Sequence, residues 1–265
     1  MRLAWATDIH LEFLTPKDLT SFCVTLAESK AEAFLLSGDI SHARGLDTHL
    51  RILERILERP VYFVLGNHDF YHGSIAAVRD RMSRVTATSP YLRWLPATGA
   101  VPLGPETGLV GHDGWADGRL GDYAGSGVRL NDYRLIEDLT GLEPSARLIK
   151  LQSLGDEAAN YFRQRLPEAL ARWRRIILLT HVPPFAEAAW RQGRISDSDW
   201  LPHLTCKAVG DVLLETMREH PAHEMLVLCG HTHSPGEAAI LPNLRVVTGG
   251  ARYGDPVIQR EWEET

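Results

Sequence analysis

Six short apolar runs, at residues 3–6, 33–36, 61–65, 176–179, 225–228 and, broken by Arg245, 244–247, set the terms on which this chain can fold. They are rich in Val, Ile, Leu and Phe, and most are continuous rather than alternating, which is the pattern of strands covered on both faces. None approaches the roughly 20 apolar residues that a membrane span needs. Between the first three runs the apolar spacing turns helical. Leu19, Phe22, Cys23 and Leu26 recur at i, i+3, i+4 and i+7 behind Thr15-Pro16, with Asp18 placed to complete a cap. Leu46, Leu50, Leu53 and Leu57 make a second stripe, and Ile75, Val78, Met82 and Val85 a third behind Ser74. Strand then helix, three times over, predicts a mostly parallel α/β layer.

Later segments are less regular. Residues 145–174 read as a long helix interrupted at Pro167, and Val209, Val212, Leu213, Thr216 and Met217 as another helix. The stretches near 111–134 and 183–206 are irregular, and loops of that length in a compact fold usually serve a site. With no repeat, low-complexity tract or linker, residues 1–265 are expected to form a single domain.

Composition excludes several classes of function. The 28 basic residues are outnumbered by 34 acidic ones, for a net charge of −6, so the chain lacks the basic surplus of a general nucleic-acid binder. Hydrophobic residues at 44% and charged ones at 23% rule out a disordered chain. Cys23, Cys206 and Cys229 are odd in number and widely spaced, which encodes neither a disulfide framework nor a zinc ribbon. The N-terminal MRLAWATDIHL reaches Asp8 before a signal-peptide core could form. A cytoplasmic protein without a membrane segment is therefore expected, its oligomeric state left open by the sequence.

The chemistry is written at the ends of the runs. Asp8 and His10 follow the first, Asp39 the second, Asn67, His68 and Asp69 the third, His181 the fourth, and His231 and His233 the fifth. Ligands in open α/β sheets bind at the carboxyl ends of strands, so these groups converge on one edge. A single Gly-Asp or His after a strand is ordinary turn chemistry; five chemically compatible blocks at five strand ends are a site.

The ordered set Asp8-Ile9-His10, Gly38-Asp39, Gly66-Asn67-His68-Asp69, His181 and Gly230-His231-Thr232-His233 resembles the calcineurin-like metallophosphoesterase superfamily. Its signature is D-x-H, G-D, G-N-H-D/E, H and G-H-x-H, and the D-x-H with GNHD resembles its bacterial phosphodiesterase branch. The resemblance implies a four-layer αββα sandwich of two mixed β-sheets with helices outside, and a metal site at the carboxyl ends of strands. It also implies two metal ions. Asp8, His10, Asp39 and His233 would hold one, and Asp39, Asn67, His181 and His231 the other, with Asp39 as the bridge. Imidazole and carboxylate donors suit Mn, Fe, Zn or Co. A hydroxide bridging such ions would attack phosphorus in line.

His68 has no ligand slot in this scheme, and the resemblance implies a proton donor to the leaving oxygen. The sequence departs from its relatives three residues after the bridging Asp. Several branches carry there an acid that orients the catalytic His, and purple acid phosphatases a Tyr ligand; here the residue is His42. His42 and Asp69 are accordingly candidates to support the site from behind the ligands. Asp113, Trp115, Arg119, Trp190 and Arg252 are candidates to frame the substrate, together with Asp117, Arg191 and Tyr253. The expected activity is hydrolysis of a small-molecule or nucleotide-type phosphodiester. A phosphomonoesterase or nucleotide pyrophosphatase is the alternative, and a non-catalytic scaffold of the same fold a distant one.

Overall fold

The computed structural model describes residues 1–264. In chain order the elements are β1 (Arg2–Ala6), α1 (Pro16–Glu28), β2 (Ala33–Ser37), α2 (Leu46–Leu57), β3 (Val61–Val64), α3 (Ile75–Ala87), β4 (Leu92–Trp94), α4 (Leu95–Thr98), β5 (Val101–Pro102) and β6 (Thr107–Gly111). They continue with α5 (Asp132–Leu135), α6 (Pro144–Arg172), β7 (Arg175–Leu179), β8 (Trp190–Arg191), β9 (Arg194–Ile195), α7 (Leu201–Leu204), α8 (Lys207–Glu219), β10 (Glu224–Cys229), β11 (Gly236–Leu241), β12 (Leu244–Thr248) and β13 (Arg260–Glu263).

Rather than one parallel layer, the strands form the two mixed sheets that the resemblance implies, with β8 and β9 paired apart from them as a two-stranded ribbon. One runs β13-β1-β2-β3-β4 and the other β11-β12-β10-β7-β6-β5; within these two sheets the antiparallel pairs are β13/β1, β11/β12 and β5/β6, and the separate β8/β9 pair is antiparallel too. The continuous apolar runs follow from this arrangement, because alternate residues serve different cores. Leu3, Trp5, Leu35 and Val64 of the first sheet meet Leu109, Ile177, Leu179 and Leu228 of the second, filling the space between the sheets. Ala4, Ala6, Phe34, Leu36 and Phe63 face the other way, onto α1, α2 and α3 through Leu19, Phe22, Leu50, Leu53 and Val78. Ile176, Leu178, Met225 and Val227 likewise face α6 and α8 through Phe162, Leu166, Val209 and Leu213. The result is a four-layer αββα sandwich.

The predicted helix starts hold. Thr15 caps α1 by accepting from the Asp18 amide at 3.2 Å, and Ser74 caps α3 through the Ala77 amide at 3.3 Å. The expected interruption at Pro167 does not occur, since α6 runs through it to Arg172. Pro167 sits on the exposed side of that helix, where the carbonyl four residues earlier, deprived of an N–H partner, can bond water instead.

The two irregular segments are anchored at specific points. Asp113 accepts from the Leu65 amide at 2.8 Å, Trp94 Nε1 at 3.0 Å and Arg79 Nε at 3.2 Å, pinning the first segment to the end of β3. Asp117 accepts from the Ala208 amide at 2.9 Å and so caps α8. His203 of α7 lies between Tyr133, whose hydroxyl meets Nδ1 at 2.5 Å, and Ser126, whose hydroxyl meets Nε2 at 3.1 Å, tying the second segment to the first. Among the described residues no helix is long and apolar enough to cross a membrane.

Candidate metal centre

Five strands end beneath one cleft, and the backbone just beyond them is bent to turn the side chains inward. Asp8, His10, Asp39, His231 and His233 all have positive φ, between 41° and 70°, a conformation that side-chain-bearing residues rarely adopt. Each costs of order 1–3 kcal/mol, and such residues gather where function over-determines the geometry. The intervening glycines provide clearance. A Cβ on Gly66 would lie 2.2 Å from Asp39 Oδ1, and one on Gly230 would lie 1.9 Å from Asp8 Oδ2, so neither position admits a side chain. The loops are stitched together by amide bonds, His10 N to Asp39 O at 3.0 Å and His68 N to Asp39 Oδ1 at 2.8 Å among them.

The sequence-derived candidate ligands come together as two groups that share Asp39. In the first, ligand atoms of Asp8, His10, Asp39 and His233 all lie within 4.8 Å of one another. His10 Nε2 is 3.1 Å from His233 Nε2 and 3.7 Å from Asp39 Oδ2, and His233 Nε2 is 3.4 Å from Asp8 Oδ1. In the second, Asn67 Oδ1 lies 3.0 Å from His181 Nε2 and 2.9 Å from His231 Nδ1, and His181 Nε2 is 3.4 Å from Asp39 Oδ1.

The hydrogen bonds around the second group suit a cation. His181 Nδ1 faces the Ser37 carbonyl at 2.9 Å and His231 Nε2 faces the His203 carbonyl at 2.9 Å. A carbonyl only accepts, so those nitrogens carry the protons. The other nitrogen of each neutral ring then presents a lone pair to Asn67 Oδ1. Asn67 donates its own NH2 to Asp132 Oδ1 at 2.8 Å, which fixes its carbonyl oxygen toward both imidazoles. Three acceptors, with Asp39 Oδ1 as a fourth, thus converge with no hydrogen among them, an arrangement that a positive ion satisfies and a hydrogen-bond network does not.

The electrostatics agree. Burial holds the His181 imidazole down at about 3 and also lowers His231, so both are neutral, the form that binds metal. Asp39 is raised well above the carboxylate range, first by burial and then by the charges of Asp8 and Asp69, so its ionised form lacks a positive partner. Burial pushes Asp8 up as well, but the hydrogen bond from His233 and the charges of the surrounding imidazoles outweigh it and hold Asp8 below the usual range.

Other sequence-derived candidates are engaged elsewhere. Asp69 accepts from the amides of Gly66 at 2.7 Å, Ile40 at 2.9 Å and Ser41 at 2.8 Å, so it fastens the two ligand loops and does not orient His68. Asp113 and Asp117 are structural anchors, Trp115 is buried against Phe70, and Arg119 is paired with Asp117 and Asp156. Trp190 packs its ring over Gly236, and Arg252 is exposed without lining the cleft. Their neighbours reach the cleft instead. Arg191, whose guanidinium stacks 3.9 Å from the Trp200 ring, and Tyr253 line it with His68, Tyr71 and Leu130.

Three contributors escaped the sequence. Glu12 lies beneath His10, His42 and His68; Asp132 orients Asn67 and also accepts from the Tyr71 hydroxyl at 2.7 Å; Trp200 forms a wall of the cleft. Only the D-I-H-L-E spacing of Glu12 hinted at its place. His42, with Nε2 3.2 Å from Glu12 Oε1, stands outside both ligand groups. His42→Ala is therefore expected to lower turnover by roughly 10-fold with metal content per chain unchanged. Loss of an ion, measured by elemental analysis, would make His42 a ligand.

A buried cluster of carboxylates, imidazoles and one amide at the strand ends of an αββα sandwich defines a metal-dependent hydrolase of phosphate esters. The chain belongs to the calcineurin-like phosphoesterase family, whose model matches residues 1–235. No curated protein is similar enough in sequence to count as a relative. Among solved structures it is similar to a phosphopantetheinyl hydrolase from Mycobacterium tuberculosis, at 16% identity and a TM-score of 0.63, over 94% of this chain and 89% of that one. It is also similar to a dimetal phosphatase from Danio rerio, at 13% identity and a TM-score of 0.57, over 94% and 87% of the two chains. The protein TT1561 of Thermus thermophilus gives 16% identity and a TM-score of 0.55 over 94% and 88%. At these identities the likeness is one of fold.

Proposed function

We propose that the chain hydrolyses a small-molecule or nucleotide-type phosphodiester with two metal ions, one held by Asp8, His10, Asp39 and His233 and the other by Asp39, Asn67, His181 and His231. When bound, such ions supply acidified water as nucleophile and positive charge opposite the phosphoryl oxygens. The protein's own part is to fix the geometry. Asp39 is the one side chain that faces both groups, neutral Asn67 limits the negative charge around them, and His68 holds a proton for the departing oxygen. The neighbour named as a dimetal phosphatase supports a two-ion centre.

The observation that carries the diester reading is the lining of the cleft, a space of about 270 Å³. Beyond the ligands and His68 its walls are Tyr71, Leu130, Trp200, Leu204 and Tyr253 with the polar Asn131 and Thr232 and the carboxylate of Asp132, and its one permanent cation among the described residues, Arg191, is stacked on Trp200. A monoester dianion calls for fixed positive charge around its terminal oxygens, whereas a diester carries two organic groups that need uncharged surface. Turnover of bis(p-nitrophenyl) phosphate is accordingly expected to exceed that of p-nitrophenyl phosphate by roughly 10-fold or more in kcat/KM, one good contact's worth of discrimination. The reverse order would favour a phosphomonoesterase.

A further inference from the structure

Glu12 occupies a position that the proposed function leaves unexplained. His10 has a left-handed backbone, and the turn of 3₁₀ helix that follows, Leu11–Phe13, carries Glu12 back beneath it. The Leu11 amide donates to the Ile40 carbonyl at 2.9 Å, which fixes that turn against the Asp39 loop. One carboxylate oxygen, Oε1, then meets three imidazoles: His42 Nε2 at 3.2 Å, His10 Nδ1 at 3.3 Å and His68 Nδ1 at 3.8 Å.

Two atoms in this arrangement lack partners. Glu12 Oε2 and His68 Nδ1 are both buried without a hydrogen bond. One is an acceptor and the other a potential donor, and they belong to side chains already in contact. A carboxylate has about four acceptor sites, of which the hydrogen bond with His10 Nδ1 uses only one. The plane of the His68 ring is set independently, since it stacks on Tyr71 with centroids 4.2 Å apart and planes 27° apart. Stacking leaves open the 180° flip of the ring about Cβ–Cγ and the choice of tautomer, and a hydrogen bond at Nδ1 fixes both.

We infer that Glu12 is the positioning residue for His68: its carboxylate accepts a hydrogen bond from Nδ1–H and leaves Nε2 as the nitrogen facing the cleft, while the same carboxylate orients His10. This rests on the proposed role of His68 as donor to the leaving oxygen. One loop residue would then align both a metal ligand and the proton donor, so the two cannot drift apart. His10, Glu12 and His68 also lie close enough to hold a cation of their own, and that is the competing outcome.

The test uses the full-length, manganese-loaded protein with two diesters that differ in leaving group, bis(p-nitrophenyl) phosphate and diphenyl phosphate. A p-nitrophenolate departs with little help from a proton donor, and a phenolate needs one. Glu12→Gln, close in size, should keep the wild-type metal content by elemental analysis. It should lose roughly 100-fold in kcat on diphenyl phosphate but less than about 10-fold on the nitrophenyl ester. His68→Ala should show the same split, and the double variant should be no slower than His68→Ala alone, because the two residues act as one unit. If Glu12→Gln does not fold, Glu12→Asp, which withdraws the carboxylate by one methylene, carries the same comparison.

Equal losses on both esters, or losses that add in the double variant, would overturn the proposal. So would an ion present in the wild type and missing from Glu12→Gln, which would make Glu12 a ligand. A His68→Ala variant with no leaving-group dependence would overturn the donor role and the proposal with it. Should the protein prove a monoesterase, p-nitrophenyl phosphate and phenyl phosphate provide the same contrast, so failure of the diester reading and failure of the Glu12 proposal are separate results.

Discussion

Asp39→Asn is expected to cut turnover by more than ~100-fold, beyond what losing a partner behind the ligands costs, and to leave fewer than two metal ions per chain. The geometry explains why this substitution is the most damaging. Asp39 presents Oδ2 toward His10, at 3.7 Å, and Oδ1 toward His181, at 3.4 Å, so its two oxygens serve the two ligand groups separately. An amide keeps one oxygen and replaces the other with NH2, which repels a cation on whichever side it faces. If the NH2 takes the Oδ1 place it also opposes the His68 amide, which donates there at 2.8 Å. The variant should remain folded by circular dichroism, since the loss of a buried charge surrounded by Asp8 and Asp69 relieves repulsion. Near-wild-type turnover at full metal content would refute the bridging role.

The second large effect is on stability. The two ligand groups are assembled from the ends of β1, β2, β3, β7 and β10, far apart in sequence, so the site exists only in the folded chain. An ion bound there stabilises the native state by about 2.7 kcal/mol at a hundred times its dissociation constant. For a chain of this size that corresponds to roughly 5–10 °C in melting temperature. Removal of metal with a chelator is expected to lower the melting temperature by that amount, and manganese to restore it. The left-handed ligand positions and the uncompensated Asp39 carboxylate are native-state costs that bound ions offset. An unchanged melting curve after verified removal would mean that these side chains do not hold the ions.

Some of the fold lay open in the sequence and some did not, for reasons visible in particular residues. β6 was missed because Thr107–Gly111 is TGLVG, and glycine is a poor strand former by local preference. Tertiary packing demands it: a Cβ on Gly108 would lie 2.2 Å from the Trp173 ring. The edge strands β11 and β13 were missed because β11 alternates in burial and β13 is mostly exposed, so neither carries a continuous apolar run. At the site, Asp132 acts on Asn67 from 65 positions away, a separation no local pattern encodes.

The division between the two sources of information is physical. The sequence by itself determined the buried strands, the capped helices and the ligand types at the strand ends, because each depends on residues within a few positions of one another. The two-sheet sandwich was implied by the family that the motifs resemble, whereas only the tertiary structure decided that Asp113 anchors a loop. It alone decided that Asp69 fastens two ligand loops and that Glu12 lies beneath three imidazoles. Those outcomes depend on which polar atoms meet once the chain has closed on itself. A carboxylate in a loop looks the same along the chain whether it will accept from three backbone amides, as Asp69 does, or from imidazoles, as Glu12 does.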